Sequence, residues 1–177
     1  MIGRPILGPN DYIVEQNGTT RIMLTQGHET IIDTVDYPRV GKLRWYLSKA
    51  AGKKYVTHST PKSTGKAKTI YLHNLIMPGA ATLEVDHING DTLNNCHSNL
   101  RLVTHKQNAW NRKIESNNSS GRLGVYWNKR TNKWNSLIMR DGVAFSLGYF
   151  NCFKRALESR KLAEKKYFGC FARGSFI

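Results

Sequence analysis

Residues 83–111 read "LEVDHINGDTLNNCHSNLRLVTHKQNAWN". The first six alternate apolar and polar side chains, the period of a strand. That period puts Leu83, Val85 and His87 on one face, with Glu84, Asp86 and Ile88 on the other. Asn89-Gly90 favours the positive φ of a tight turn. Leu100, Leu102 and Val103 make a second short strand, and Thr104 can cap a helix through "HKQNAWNRK". Strand, loop, strand and helix bring Asp86 and His87 opposite the first helical turns. Two readings follow. Asp86-His87 beside scattered Asn can be a hydrogen-bonded structural pair next to turn residues. Alternatively, a carboxylate and an amide oxygen are hard ligands suited to Mg²⁺, and a neutral His beside them is suited to taking a proton from water.

Outward from this stretch, the preceding residues are rich in short β-like runs. "YIVEQ", "TRIMLT" and "ETIID" come first, with Asn17-Gly18 as a hairpin signal between the first two. "LRWYLS" and "KYVTHST" continue the pattern, and "KTIYLHNLIMPG" (68–79) reads as a strand entering a short helix stopped by Pro78-Gly79. After the motif, "ESNNSSGR" (115–122) is a run of small polar residues, read as a linker. The expected organisation is an α+β chain. It has a β-rich part over 1–66, a strand-and-helix core over 67–113, a linker at 114–121 and a further unit over 122–177.

Composition narrows the partners. The 177 residues, 40% hydrophobic and 10% aromatic, are enough for a folded core. The net charge is +15 and unevenly spread. Residues 1–100 hold 11 Lys and Arg against 8 Asp and Glu, whereas 101–177 hold 16 against 4. An excess of this kind on one half points to a polyanion, because neutralised phosphates release condensed counterions. Double-stranded DNA is the expected partner. No apolar run approaches the ~20 residues that cross a membrane, so neither a membrane nor a secretory leader is expected. The three cysteines, Cys96, Cys152 and Cys170, form no CxxC pair, so neither a disulfide framework nor a structural zinc is expected. A cytoplasmic location fits them.

The opening stretch resembles the HNH nuclease motif of the ββα-metal fold. That pattern has Asp-His on its first strand, an Asn before the second strand, and His or Asn on the helix. Here they fall on Asp86-His87, on Asn99 in "SNLRLV" and on Asn108 in "HKQNAWN". The resemblance implies that Asp86 and Asn108 hold one divalent ion, Mg²⁺ or Mn²⁺, and that His87 is the general base. It implies too that Asn99 orients the loop and His87. Many relatives brace the motif with zinc on two CxxC pairs; this chain has none, so other contacts must do so. The flanking "DYPRVGKLRWYLSK" and "YLHNLIM" look like phage-encoded homing endonucleases of the same group. In that setting His73 contacts substrate phosphate near the metal, or is a satisfied core histidine. His105 stabilises phosphate, or sits on the surface after the cap.

The C-terminal zone carries a separate resemblance. "GVYWN", "KWNSLIM" and "VAFSLGYF" are short runs between polar turns, followed by an amphipathic helix from about Phe153 to Tyr167. Gly124-Val125-x-Trp127, Lys133-Trp134 and Leu147-Gly148-x-Phe150 resemble the ethylene-response-factor (Apetala-type) DNA-binding domain, a three-stranded sheet backed by one helix. That likeness implies a sheet face in the major groove, with Arg122, Trp127, Lys129, Arg130, Lys133, Trp134 and Arg140 as contacts. Arg and Lys suit guanine edges and phosphates; for Trp127 or Trp134 the alternative is packing against the helix. The combined expectation is a metal-dependent, site-specific DNA endonuclease. Its rival is a non-catalytic DNA-binding regulator that uses the same sheet. One catalytic motif per chain suits a monomer that nicks, although dimers can cut both strands.

Overall fold

The computed structural model describes residues 9–50, 52–60, 67–79, 82–110 and 120–172. The chain is α+β and divides into two compact units, Met1–His105 and Lys106–Ile177. In the first unit, β1 (Tyr12–Val14), β2 (Thr19–Met23) and β3 (Glu29–Asp33) form an antiparallel meander. Asn17-Gly18 makes its first turn as expected, with Gly18 at φ 82° and the Asn17 side chain accepting the Thr19 N–H at 3.1 Å. The helix α1 (Tyr37–Val40) leads to a second antiparallel sheet of β4 (Tyr46–Ala50), β5 (Lys53–Ser59) and β6 (Thr69–Tyr71). Because β6 pairs with β5, the expected division at residue 66 falls within this sheet.

The α2 helix (Leu72–Ile76) follows β6 directly and ends before Pro78, as its stop signal requires. Its buried Leu72 and Ile76 join Ile22, Ile32 and Trp45 in one core, which Leu100 completes. Trp45 is fully buried, and its indole N–H donates to the Val40 carbonyl at 2.9 Å. The strand pair β7 (Glu84–His87) and β8 (Leu100–Val103) then forms a two-stranded antiparallel ribbon. An isolated ribbon is marginal in water. This one is anchored because its connecting loop lies along β3. The Ile31 N–H donates to the Leu93 carbonyl at 3.0 Å, and the Asn95 N–H donates to the Ile31 carbonyl at 2.8 Å. Those backbone bonds brace the ribbon against the N-terminal sheet.

The helix α3 (His105–Trp110) follows β8; residues 111–113 of its expected span, and 114–119 of the expected linker, lie outside the described residues. In the second unit β9 (Val125–Asn128), β10 (Lys133–Arg140) and β11 (Val143–Phe150) form an antiparallel sheet in the order β11-β10-β9, backed by α4 (Phe153–Phe168). The helix buries Ala156, Arg160, Ala163 and Phe168. Arg160 is tied down twice, donating to the Leu137 carbonyl and pairing with Glu164 at 2.7 Å. Trp110 stacks on Phe168, with ring centroids 4.6 Å apart. Among the described residues no helix is long and apolar enough to cross a membrane.

Candidate active site

Strand register sets the first feature of the site. In the β7–β8 ribbon Asp86 faces Arg101 and His87 faces Leu100. Cross-strand neighbours on one face lie close enough to pair, and Arg101 Nε and NH2 both donate to Asp86 Oδ2, at 3.0 and 2.7 Å. Asp86 is 8% exposed and His87 5%. A carboxylate so buried needs a counter-charge, and Arg101 provides one. The pairing sums of the ribbon make Arg101 legible in principle once the loop ends are fixed, but the motif alone did not single it out.

The orientation of His87 can be worked out donor by donor. The Thr30 hydroxyl lies 2.7 Å from the Leu93 carbonyl, which can only accept, so its proton points there. Thr30 Oγ1 is therefore the acceptor for the Asn95 amide nitrogen at 2.9 Å. The same nitrogen donates to the Thr92 carbonyl at 3.4 Å. With its nitrogen so committed, Asn95 turns Oδ1 toward His87 Nε2, 3.1 Å away. His87 Nε2 must then carry the hydrogen, and the neutral ring has its lone pair on Nδ1. Burial pushes the His87 pKa below its ordinary value, opposed by the Asn95 hydrogen bond and the Asp86 charge. The ring is accordingly a neutral base at pH 7.

Asn95 thus holds the His87 ring, and Asn99, expected to orient both the loop and His87, bonds to the loop. Asn99 Oδ1 accepts the Asn89 N–H at 3.1 Å, and its amide donates to the carbonyls of Asn94 and Asp91 at 2.8 and 3.3 Å. Asn89 and Asp91 cap the turn with their own side chains. On the outer side of the loop the His97 N–H donates to Asp33 Oδ2 at 2.7 Å. Asp36 Oδ1 accepts from Arg39 at 2.8 Å, while its buried Oδ2 lies 2.9 Å from His97 Nε2 without hydrogen-bond alignment. That second contact is an ion pair only when His97 is protonated. Asp33, Asp36 and His97 bring one ligand-type atom each within 4.8 Å of one another, a spacing a cation fits. One oxygen of each carboxylate already accepts from a protein donor. Cys96 is buried in the same loop, and burial raises its thiol to about 11, which makes it an unreactive packing group.

The remaining expected residues fall as follows. His73 is buried at 8% exposure and meets the His87 ring edge-on at 5.1 Å. It sits among Tyr55 and Tyr71, 5.9 and 5.4 Å away. Burial, then the neighbouring His87, lower its pKa to about 4. His105 is exposed and its Nδ1 lies 2.8 Å from Glu84 Oε1. Asn108 is on α3, in the second unit. Asp86 and Asn108 both offer oxygen donors, the ligand type that Mg²⁺ prefers.

On the C-terminal sheet Arg122, Lys129, Arg130 and Lys133 are exposed, the last three around the β9–β10 turn. Arg140 is exposed too, with its guanidinium 4.6 Å from the Tyr167 ring centroid. Trp134 is half-buried against Phe153 of α4 at 4.8 Å, and Trp127 meets it edge-on at 5.4 Å. Trp134 therefore lies on the helix side of the sheet, and Trp127, its direct cross-strand partner, shares that side, the packing alternative for both. Sequence reading passed over Tyr126 and Tyr149, exposed on strands that flank Asn135 and both in register with it. The Asn135 amide donates to the Tyr126 hydroxyl at 2.6 Å.

Residues 78–110 match the family described as HNH endonuclease, so this part of the chain is an HNH endonuclease domain. Protein 3.8 of Escherichia phage T7 is 40% identical over 58 residues, which cover 33% of this chain and 48% of that protein. An uncharacterised HNH endonuclease of Acanthamoeba polyphaga mimivirus is 28% identical over 139 residues, 77% of this chain and 68% of that one. The chain thus spans about half the length of the first relative and about two thirds of the second. No solved structure matches the chain.

Proposed function

We propose that the chain is a metal-dependent, site-specific endonuclease of the homing type that hydrolyses phosphodiester bonds in double-stranded DNA. The observation that carries this reading is the buried Asp86-His87 pair at the strand end, with the His87 ring fixed by Asn95. In this reading His87 Nδ1 takes a proton from water as the water oxygen attacks phosphorus, and the bond to the 3′ oxygen breaks. Asp86, and by the family resemblance Asn108, hold a divalent ion, Mg²⁺ or Mn²⁺. When bound, that ion stabilises the charge building on the phosphate and the departing oxygen. His73 and His105 are assigned to the surroundings of the phosphate by the same resemblance. The C-terminal sheet acts as an Apetala-type reader, with Arg122, Lys129, Arg130, Lys133 and Arg140 as its DNA contacts. The protein acts in the cytoplasm, the host cell's if the chain is phage-encoded.

Incubation of the protein with supercoiled plasmid tests the reading. Cleavage should need a divalent ion and stop with chelator. His87→Ala should lose at least about 100-fold in rate while binding DNA as tightly, since a general base acts in the transition state and not in docking. A His87→Ala protein that cuts at the normal rate refutes the assigned base. The rival reading, a binding-only regulator built on the basic C-terminal half, requires tight binding and no cleavage by the unaltered protein in the same assay.

A further inference from the structure

Thr30 belongs to the N-terminal sheet, yet its hydroxyl ends a hydrogen-bond chain that begins on the His87 ring. Both intermediates are sealed from water, with Thr30 0% and Asn95 1% exposed. A buried hydroxyl and amide are costly unless every polar atom is used. Valine would fill the space of Thr30 without that demand. The polar pair is fully used: the hydroxyl gives its proton to the Leu93 carbonyl, the amide nitrogen gives to Thr30 and Thr92, and the amide oxygen is left for His87. Each step fixes the next, so the direction of the Thr30 proton, together with the Thr92 carbonyl, sets which way round the Asn95 amide sits. The amide in turn decides which nitrogen of His87 is protonated.

We propose that Thr30 and Asn95 are positioning residues for hydrolysis, which hold His87 in the tautomer with its proton on Nε2 and its lone pair on Nδ1. The inference rests on the endonuclease reading above and adds to it a role for the N-terminal sheet. That sheet does more than brace the loop: it sets the proton distribution of the base. The wrong amide orientation would put Asn95 Nδ2 against His87 Nε2, a nitrogen that would then have to accept. The neutral ring would carry its proton on Nδ1 and could take none from water there.

The test reads the ring itself. In ¹⁵N-labelled protein the two imidazole nitrogens of a neutral His differ strongly in chemical shift, and His87 is identified among the six histidines by its loss in His87→Gln. The unaltered protein should show Nε2 protonated and Nδ1 unprotonated. Asn95→Leu, close in volume and without an acceptor, should give mixed tautomers. It should lower kcat by about 10–100-fold, the usual cost of losing a partner that orients a site residue, with KM for DNA little changed. Thr30→Val should move both readouts in the same direction by less, because Thr92 still holds the amide. Thr30→Ser, which restores a hydroxyl, should recover most of the Thr30→Val loss. A single unchanged tautomer together with an unchanged kcat in Asn95→Leu overturns the proposal. So does a protonated Nδ1 in the unaltered protein, a measurement that needs no variant to fold. An unaltered protein that binds DNA but never cuts it overturns the hydrolytic reading instead, and the ring spectrum distinguishes that failure from this one.

Discussion

At the scale of single residues, the site is a set of buried polar groups that answer one another. Asp86 is held by Arg101, and His87 by Asn95, so neither rotates freely in the absence of substrate. Such preorganisation removes orientational freedom before the reaction rather than during it. Asp86→Ala should abolish divalent-ion binding at this site along with cleavage. Calorimetric titration with Mn²⁺ checks it, and an unchanged isotherm moves the ligand elsewhere. His73 makes a separate prediction about stability. Its folded pKa is about 4, below the ordinary value of 6.5. Above pH 6.5 it is neutral whether folded or unfolded, and the stability it permits is fully present. As pH falls from 6.5 toward 4 the unfolded chain takes the proton and the folded one does not, so stability declines over that window. The groups facing the ring are Tyr55 on β5, Tyr71 beside it and His87 on β7, and none supplies a compensating negative charge there at these pH values. His73→Gln should flatten the acid side of a plot of urea midpoint against pH. A slope as steep as that of the parent assigns the acid loss to other groups.

At the scale of elements, the strands were legible and the grip between them was not. Alternation and turn residues mark β1 to β3, β7 and β9 to β11 because those signals lie within a few residues of chain. The docking of the 88–99 loop on β3 leaves no such mark. It is made by backbone groups of Ile31 with Leu93 and Asn95, and a backbone hydrogen bond places no demand on residue type. Thr30 and Asn95 escaped for a related reason. A Thr in a strand and an Asn in a turn are each ordinary alone, and only their meeting across the fold makes them a pair. Asp86, His87 and Asn99 could be read because the motif keeps them close in sequence. The C-terminal element shows the opposite case, a residue whose constraint is visible in both. Gly124 has φ +71°, and a Cβ there would run into the Leu137 carbonyl and the Arg160 guanidinium. Gly124→Ala should therefore cost about 1–3 kcal/mol through its left-handed backbone alone, and more if Arg160 is displaced from the sheet. Thermal unfolding of the full chain measures it, and an unchanged midpoint shows that the β9 entrance relaxes without strain.

At the scale of the whole molecule, charge is distributed unlike catalytic chemistry. The Asp-His pair lies in the first unit, while residues 101–177 hold 16 of the 27 Lys and Arg. The proposed function accordingly expects affinity for DNA to depend chiefly on the second unit, while the base His87 and its neighbour Asp86 lie in the first. The exposed basic residues at the β9–β10 turn, Lys129, Arg130 and Lys133, test that expectation without disturbing any buried contact. Each phosphate neutralised by a side chain releases counterions, so log K falls with log salt in proportion to the number of such contacts. If Lys129 and Lys133 touch only phosphate, the double change to Ala should reduce the salt slope by about two, roughly one per residue. The loss of affinity should be the same for every DNA sequence. An Arg that reads guanine behaves differently, since its removal costs about 1–3 kcal/mol at one base pair and relaxes preference there. Arg122, at the entrance to β9, is the residue assigned that role, and Arg140, lying over Tyr167, is assigned to phosphate. Binding of Arg122→Ala and of Arg140→Ala to a panel of single-base variants, at several salt concentrations, separates the two behaviours. An even loss across the panel for Arg122→Ala would remove it as a base reader, and would leave Tyr126, Asn135 and Tyr149 as the next groups on the sheet to test.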